Sequence, residues 1–342
     1  MTLRMCVHFV HIQQYSFHGP YQKTSLTRNP KSASQFNFST FALNLVTMSD
    51  AQRDLEKEFS PSAWVKRFRT AEEVIEHHKK VVREGTQLAR ETFKCELDVA
   101  YGPGERSKVD IYGTDLPPNA PILVLVHGGY WQLEEYTKEL GTYGVLPLVP
   151  AGCRVIAADY EMCPKVTLSE LTENAFQCLS FCLNYAAKLG ASSVSFLGHS
   201  AGAHLVVAQF EQERFERLPH KELIRDVYLL SGVFDLRELR HTEAANSKNL
   251  LAITDDNVTA LSPALASFLH LGTESVNFTI VVTGNESQSY LKMSEDMRDA
   301  LHGGTNLVRF YLLPNKDHFD IVEQLNDKEE YLTEILLEDL KN

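Results

Sequence analysis

Ser200 sits in the run Gly198-His199-Ser200-Ala201-Gly202. An apolar segment, Val194-Ser195-Phe196-Leu197, precedes it, and Ala203-His204-Leu205-Val206-Val207-Ala208 follows with helical character. A serine between two glycines, on a sharp turn from strand to helix, is placed for nucleophilic chemistry. The glycines remove Cβ atoms that would clash in so tight a turn. The hydroxyl then stands clear of the main chain at a helix N-terminus, where N–H groups, Ala201's among them, point at the same spot. A serine hydroxyl is nevertheless a poor nucleophile at neutral pH. It needs an imidazole to take its proton and a carboxylate to hold that imidazole's tautomer and stabilise its cation. The competing reading is an ordinary serine in a glycine-rich turn.

A second stretch favours the chemical reading. Pro121-Ile122-Leu123-Val124-Leu125-Val126 is a continuous apolar strand that runs into His127-Gly128-Gly129-Tyr130-Trp131. This H-G-G-x-W run resembles the His-Gly-Gly segment of lipases and esterases, whose main-chain N–H groups form part of an oxyanion hole. Glycine suits it because the main chain must approach a reacting carbonyl closely. Gly128, Gly129 and Ala201 are thus the expected oxyanion donors. Tyr130, Trp131 and, after a later strand, Tyr160 are expected either to line an aromatic substrate pocket or to serve as packing.

The elements that must position these groups alternate along the chain. Cys95–Tyr101 and Lys108–Tyr112 read as an antiparallel edge hairpin joined by Gly102-Pro103-Gly104. Buried strands follow at 122–126, 153–158, 193–197, 226–230, 278–282 and 308–313, too apolar for one exposed face. Helical patterns are expected near 134–148, 168–189, 201–217, 286–302 and 327–341. The sum is an α/β fold with a doubly wound, mostly parallel, eight-stranded sheet and helices on both faces. A helix starting at Ser60-Pro61 and running to Arg90 is expected to cover a sheet edge, with a roof over the site as the alternative. Residues 234–276 are expected to make a small helical excursion over the carboxyl ends of the strands.

In an α/β-hydrolase arrangement the order along the chain is serine, acid, histidine. Of the histidines after Ser200, His318 alone follows the last strand, in Lys316-Asp317-His318-Phe319-Asp320. It is the expected base. His204, one turn into the helix behind the serine, reads as packing. The turn after the preceding strand, Thr283-Gly284-Asn285-Glu286-Ser287, offers one carboxylate, Glu286. Glu286 is the expected acid and Asp235 the alternative. Asp159 is expected to fix a loop instead.

Three segments together closely resemble the kynurenine formamidase (arylformamidase) family: His127 to Trp131, Gly198 to Leu205, and Asp317 to Ile321. Ser60 to Trp64, Ser231 to Leu236 and Leu261-Ser262-Pro263 also look like it, and the match runs from about residue 50 to the end. The resemblance implies the α/β-hydrolase fold and hydrolysis of N-formyl-L-kynurenine to L-kynurenine and formate in tryptophan degradation. It implies Ser200 as nucleophile and His318 as base. Relatives carry Asp in a Gly-x-x-Asp-Ser setting, whereas this chain has Gly284-Asn285-Glu286-Ser287. A longer carboxylate arm would offset the shorter turn. The clustered His/Asp ligands of the zinc-dependent formamidases are not seen, and the reaction needs no metal or other cofactor.

The chain has 342 residues and a net charge of −12. That balance argues against nucleic acid and anionic membrane surfaces as partners and leaves a small-molecule substrate. No apolar run reaches the roughly 20 residues of a membrane span. Six cysteines without framework spacing read as reduced thiols of an intracellular protein, with Cys178 and Cys182 on one packing face. Residues 1–49 contain four basic and no acidic residues. Residues 1–47 read as a disordered extension, with Met48 as an alternative start, or else as a mitochondrial presequence. A single domain over 48–342 in the cytoplasm, with the nucleus also open, is the expectation. A homodimer is left open. The competing functions are a general carboxylesterase and a catalytically dead hydrolase fold used for binding.

Overall fold

The computed structural model describes residues 50–305 and 307–340. The expectations for residues 1–47 and Met48 lie outside the described residues. Eight strands form one sheet: β1 Cys95–Ala100, β2 Lys108–Tyr112, β3 Ile122–Val126, β4 Arg154–Ala158, β5 Val194–His199, β6 Ile224–Leu230, β7 Asn277–Asn285 and β8 Val308–Asp317. Their order across the sheet is β1-β2-β4-β3-β5-β6-β7-β8. The edge hairpin is antiparallel, β2 pairs antiparallel with β4, and β3 through β8 run parallel. Every residue of β3, β4 and β5 is buried, as their unbroken apolar runs require of strands covered on both faces. None of 308–313 is buried, against the expectation, because β8 lies at the edge of the sheet.

The chain leaves β3 toward β4 on one side, then returns past β3 to lay down β5 on the other. Such a reversal opens a crevice beyond the carboxyl ends of the two strands. His127-Gly128-Gly129 leaves the end of β3 there, and Ser200 leaves the end of β5 beside it.

Several helices begin or end where local chemistry dictates. Leu168–Leu189 has a capping box, Thr167 with Glu170, and stops at Gly190 in the left-handed region (φ 77°). Cys178 and Cys182 both lie on its buried face. The long N-terminal helix starts later than its apolar spacing suggests, at Ala71, where the Thr70 side chain accepts from Glu73 N. Residues 61–64 make only a 3-10 turn. The helix expected at 134–148 is broken into Lys138–Leu140 and Val145–Leu148, because Gly144 takes φ 66° between them. The pattern at 201–217 divides near Gln209, whose side chain donates back to the Leu205 carbonyl and to the Thr172 carbonyl. Residues 234–276 form short 3-10 turns and one helical turn, Glu243–Asn246. Among the described residues, no helix is long and apolar enough to cross a membrane.

The helix Ala201–Val207 is seated on β3 through Gly202. A Cβ there would lie 2.1 Å from the Val126 carbonyl oxygen and 2.5 Å from that of His127. Both obstacles are main chain, so relief requires moving the helix or the strand. Gly202→Ala should therefore destabilise the fold by about 3 kcal/mol or more. Equilibrium urea unfolding checks this; a midpoint equal to wild type would contradict the seating.

Candidate active site

Ser200 adopts φ 55° and ψ −121°, a main-chain geometry unfavourable for any residue with a Cβ. Its own N–H is held by the Leu230 carbonyl at 2.9 Å. Ala201 starts the helix, so its N–H belongs to the first turn that lacks intrahelical partners. Across the crevice, a Cβ on Gly128 would stand 3.0 Å from Ser200 Cβ and 3.2 Å from the His199 carbonyl oxygen. Glycine lets the two turns approach this closely. Gly129 takes φ 114°, where a side chain would also strike Tyr136.

The loop is braced from below. His127 is buried; its Nδ1 lies 2.7 Å from the Gly128 carbonyl oxygen and its Nε2 3.3 Å from Asp159 Oδ1. The Tyr160 hydroxyl donates to the His127 carbonyl at 2.7 Å, and its ring stacks on His127 with centroids 4.4 Å apart. Asp159 accepts from Arg106 and from Tyr160 N, so it fixes the loop as expected. Burial alone would push its carboxyl up, but His127 and Arg106 hold it below the usual carboxylate range.

This bracing bears on the two readings left open for the aromatic residues. Trp131 is fully buried and packs edge-on against His204, and Tyr160 is committed beneath the loop. Both are packing rather than pocket wall, because the sharp turn needs filling and its carbonyls need donors. Tyr130 is different: its hydroxyl donates to the Phe59 carbonyl at 2.5 Å and meets the Tyr290 hydroxyl at 3.2 Å. His204 is held by packing, its Nε2 donating to the Leu261 carbonyl.

His318 Nδ1–H donates to Glu286 Oε1 at 2.5 Å. The other oxygen of Glu286 accepts from Ser231 Oγ at 2.8 Å, Thr283 Oγ1 at 2.7 Å and Thr283 N at 3.1 Å. These donors aim the carboxylate at the imidazole. Ser287, one residue on, caps the helix Gln288–His302, which leaves Glu286 in the turn outside it. Asp235 is turned away into a pair with Arg237, 2.6 Å at the shortest.

His318 and Ser200 share two neighbours. His199, adjacent to Ser200, donates Nε2–H to the His318 carbonyl at 2.8 Å, with ring centroids 4.8 Å apart. Tyr290 packs edge-on against His318 with ring centroids 5.3 Å apart, and its hydroxyl lies near the Ser200 side chain. Burial first, then Tyr130 and Glu286, drive the Tyr290 phenol well above its ordinary pKa, so it stays protonated.

A cluster of buried carboxylates under the partly exposed Arg67 clamps the loop that carries His318. Arg67 Nε donates to Asp317 Oδ2 at 2.6 Å, and its Nη2 reaches Glu323 Oε2 at 2.9 Å. Asp317 Oδ1 accepts from Phe319 N and Asp320 N, and Asp320 Oδ1 accepts from Asp317 N at 2.7 Å. Burial would raise the Asp317 carboxyl, yet Arg67 and the loop amides hold it below its ordinary value. Asp320 is less fully compensated: burial, then the Asp317 charge, outweigh Asp317 N and Arg67 and push it up to about 6.

The three candidate groups are enclosed: Ser200 and His318 are each 4% exposed and Glu286 6%. The roof left as the alternative role of the N-terminal helix comes instead from the segment before it. Phe59 accepts the Tyr130 hydroxyl, Glu58 accepts from Ser289 N, and Glu56 accepts from Glu243 N and Ala244 N.

A family model described as the alpha/beta hydrolase fold matches residues 123–278. The kynurenine formamidase of Drosophila melanogaster is 32% identical over 80% of this chain and 92% of its own length. That of Salmo salar is 32% identical over 83% and 95%. The chain belongs to the kynurenine formamidase family. A Silicibacter protein of known structure superposes on this family member with TM-score 0.65 at 24% identity, over 84% of this chain and 99% of that one. The esterase LipW from Mycobacterium marinum gives 0.57 at 20%, over 87% and 95%. With the sheet topology, these likenesses establish the α/β-hydrolase fold for this formamidase relative.

Asp320 yields a pH prediction. A carboxyl whose pKa is higher folded than unfolded binds its proton more tightly in the folded state. Its contribution to stability is complete below about pH 4 and is lost as pH rises through about 6. Asn keeps an acceptor for Asp317 N without that loss. The unfolding free energy of Asp320→Asn relative to wild type should rise by about 2 kcal/mol between pH 4 and pH 7. Denaturant unfolding at both pH values measures it; a constant difference would contradict the assignment.

Proposed function

We propose that this hydrolase cleaves N-formyl-L-kynurenine to L-kynurenine and formate with Ser200 as nucleophile, the activity for which its relatives are named. The supporting observation is the 2.5 Å His318–Glu286 pair set beside a strained Ser200 turn and a glycine loop in direct approach to it. His318 takes the Ser200 proton through Nε2 while Glu286 fixes the tautomer and balances the imidazolium charge. The Ser200 oxygen attacks the formyl carbon, and the carbonyl oxygen becomes an oxyanion facing the N–H groups of Gly128, Gly129 and Ala201. Each such donor is typically worth ~3–4 kcal/mol in the transition state. His318 then protonates the departing aniline nitrogen, the C–N bond breaks, and a formyl ester on Ser200 remains. Water, deprotonated by His318, hydrolyses that ester to formate. The reaction belongs in tryptophan degradation.

An enclosed site suits this acyl group, since a formyl carbon carries only hydrogen beyond its oxygen. A general carboxylesterase would need room for longer acyl chains. The test is the ratio of kcat/KM for formyl-kynurenine to that for an aryl butyrate; we expect at least about 100. A ratio below one would favour the esterase reading. Ser200→Ala should lower kcat by about 10³-fold or more with its thermal midpoint retained. Substantial formamidase activity in that variant would overturn the serine mechanism.

The choice of acid is tested separately. Glu286→Gln should cost about 10³–10⁴ in kcat, because the imidazole loses both its orientation and the charge opposite it. Asp235→Asn should stay within about twofold, since that carboxylate serves Arg237 on the surface. The reverse pattern in steady-state kinetics would exchange their roles.

A further inference from the structure

We infer that His199 is a positioning residue: its Nε2–H ties the main chain of His318 to the turn that carries Ser200 and so sets the spacing of nucleophile and base. The inference rests on Ser200 and His318 acting as proposed above.

Three observations converge on this ring. It precedes Ser200 directly, at the carboxyl end of β5. Its Nε2 is 2.8 Å from the His318 carbonyl oxygen, which can only accept, so the proton resides on Nε2. On its other side, a Cβ on Gly128 would lie 3.4 Å from His199 Nδ1, ordinary contact distance. One ring therefore lies beside the glycine loop and bonds to the base loop while its main chain continues into the serine.

The ring has little freedom to do otherwise. It is buried, packs edge-on against Tyr143 at 6.1 Å and lies 4.8 Å from the His318 ring. Burial, then the nearby His318 and His78, hold its pKa well below the ordinary histidine value. It stays neutral when His318 becomes a cation, so the tether adds no like charge beside the base at that moment. The rest of the base loop is fixed from the opposite side by Arg67 on Asp317, which does not contact the serine turn. Of the two neighbours that Ser200 and His318 share, His199 is the one that hydrogen-bonds the main chain of the base loop. Misplacing a catalytic group by about 1 Å can cost on the order of 100-fold in rate.

Side-chain geometry provides the test. A glutamine amide nitrogen reaches the position of a histidine Nε2, an asparagine amide falls short, and phenylalanine keeps the ring without a donor. His199→Gln should retain kcat within about fivefold of wild type, while His199→Asn and His199→Phe lose about 30- to 100-fold. KM should change less than about threefold in all three. Labelling of Ser200 by a fluorophosphonate, which needs no formamide, should slow in the same order. Thermal midpoints identify any variant that fails to fold, and the Gln–Asn comparison stands without the Phe variant. If folded Gln and Asn variants lose kcat equally, or a folded Phe variant keeps it, the tether is wrong. Wild-type protein that resists labelling would overturn the serine mechanism first, and this inference with it.

Discussion

The close approach of two main chains at the carboxyl ends of β3 and β5 is the constraint on which the rest of the structure depends. Gly128 faces Ser200 at a distance that leaves no comfortable space for a side chain. Gly202 repeats the condition within the first turn of the helix, against the end of the same strand. The sheet order makes the meeting unavoidable, because β3 and β5 are neighbours flanking the reversal of strand order. The strained backbone of Ser200 persists because the strand, the helix and the Leu230 hydrogen bond all determine it. Nothing in the turn alone would hold that geometry. It is maintained by two buried strands whose registers fix where the turn begins.

The imidazole must be brought to this point from a loop more than a hundred residues later in the chain. Glu286 fixes its ring, His199 its main chain, and Arg67 the flanking Asp317. The clamp concentrates Asp317, Asp320 and Glu323 around one guanidinium. Asp320 is left with a carboxyl pushed up to about 6, which marks where the clamp is under-compensated. Buried charge seldom adds net stability over apolar packing. Here its use is orientation: Asp317 accepts from the two amides that follow His318 and so shapes the turn on which the imidazole stands.

The parts legible in the sequence were those governed by local pattern. Apolar runs gave the parallel strands, and glycine spacing gave both turns of the crevice. His318 and Glu286 could be chosen because each follows a recognisable strand, and the structure joins them to each other. What could not be read depended on distant contacts. Arg67 lies 250 residues from Asp317 and has no local signature. Tyr290 looked like any apolar position on a helix, yet its hydroxyl faces Tyr130 and Ser200. The aromatic residues beside the glycine loop carried no signal separating pocket from packing; Tyr160 was decided by a carbonyl that only the folded turn exposes. The later start of the long helix was legible in Thr70 and Glu73, but its apolar spacing extended past the cap and masked it.

Enclosure of the site gives the N-terminal segment a place in the chemistry. The Phe59 carbonyl accepts the hydroxyl of Tyr130, which meets that of Tyr290, which neighbours Ser200. Tyr130 thus stands between the roof and Tyr290, and it sits in the left-handed region at φ 49°, beside Trp131 at φ 60°. Two consecutive non-glycine residues in that region are a local cost that surrounding contacts must outweigh. The contacts that do so include Trp131 in the core and Tyr130 on the roof. The same loop therefore closes the site above while its glycines open the main chain toward Ser200 below. The roof is held there both by hydrogen bonds from Glu56, Glu58 and Phe59 and by packing, since Phe59 belongs to the main core and, with Glu56, is as buried as Ser200 beneath it, so that the closure and the crevice share one core.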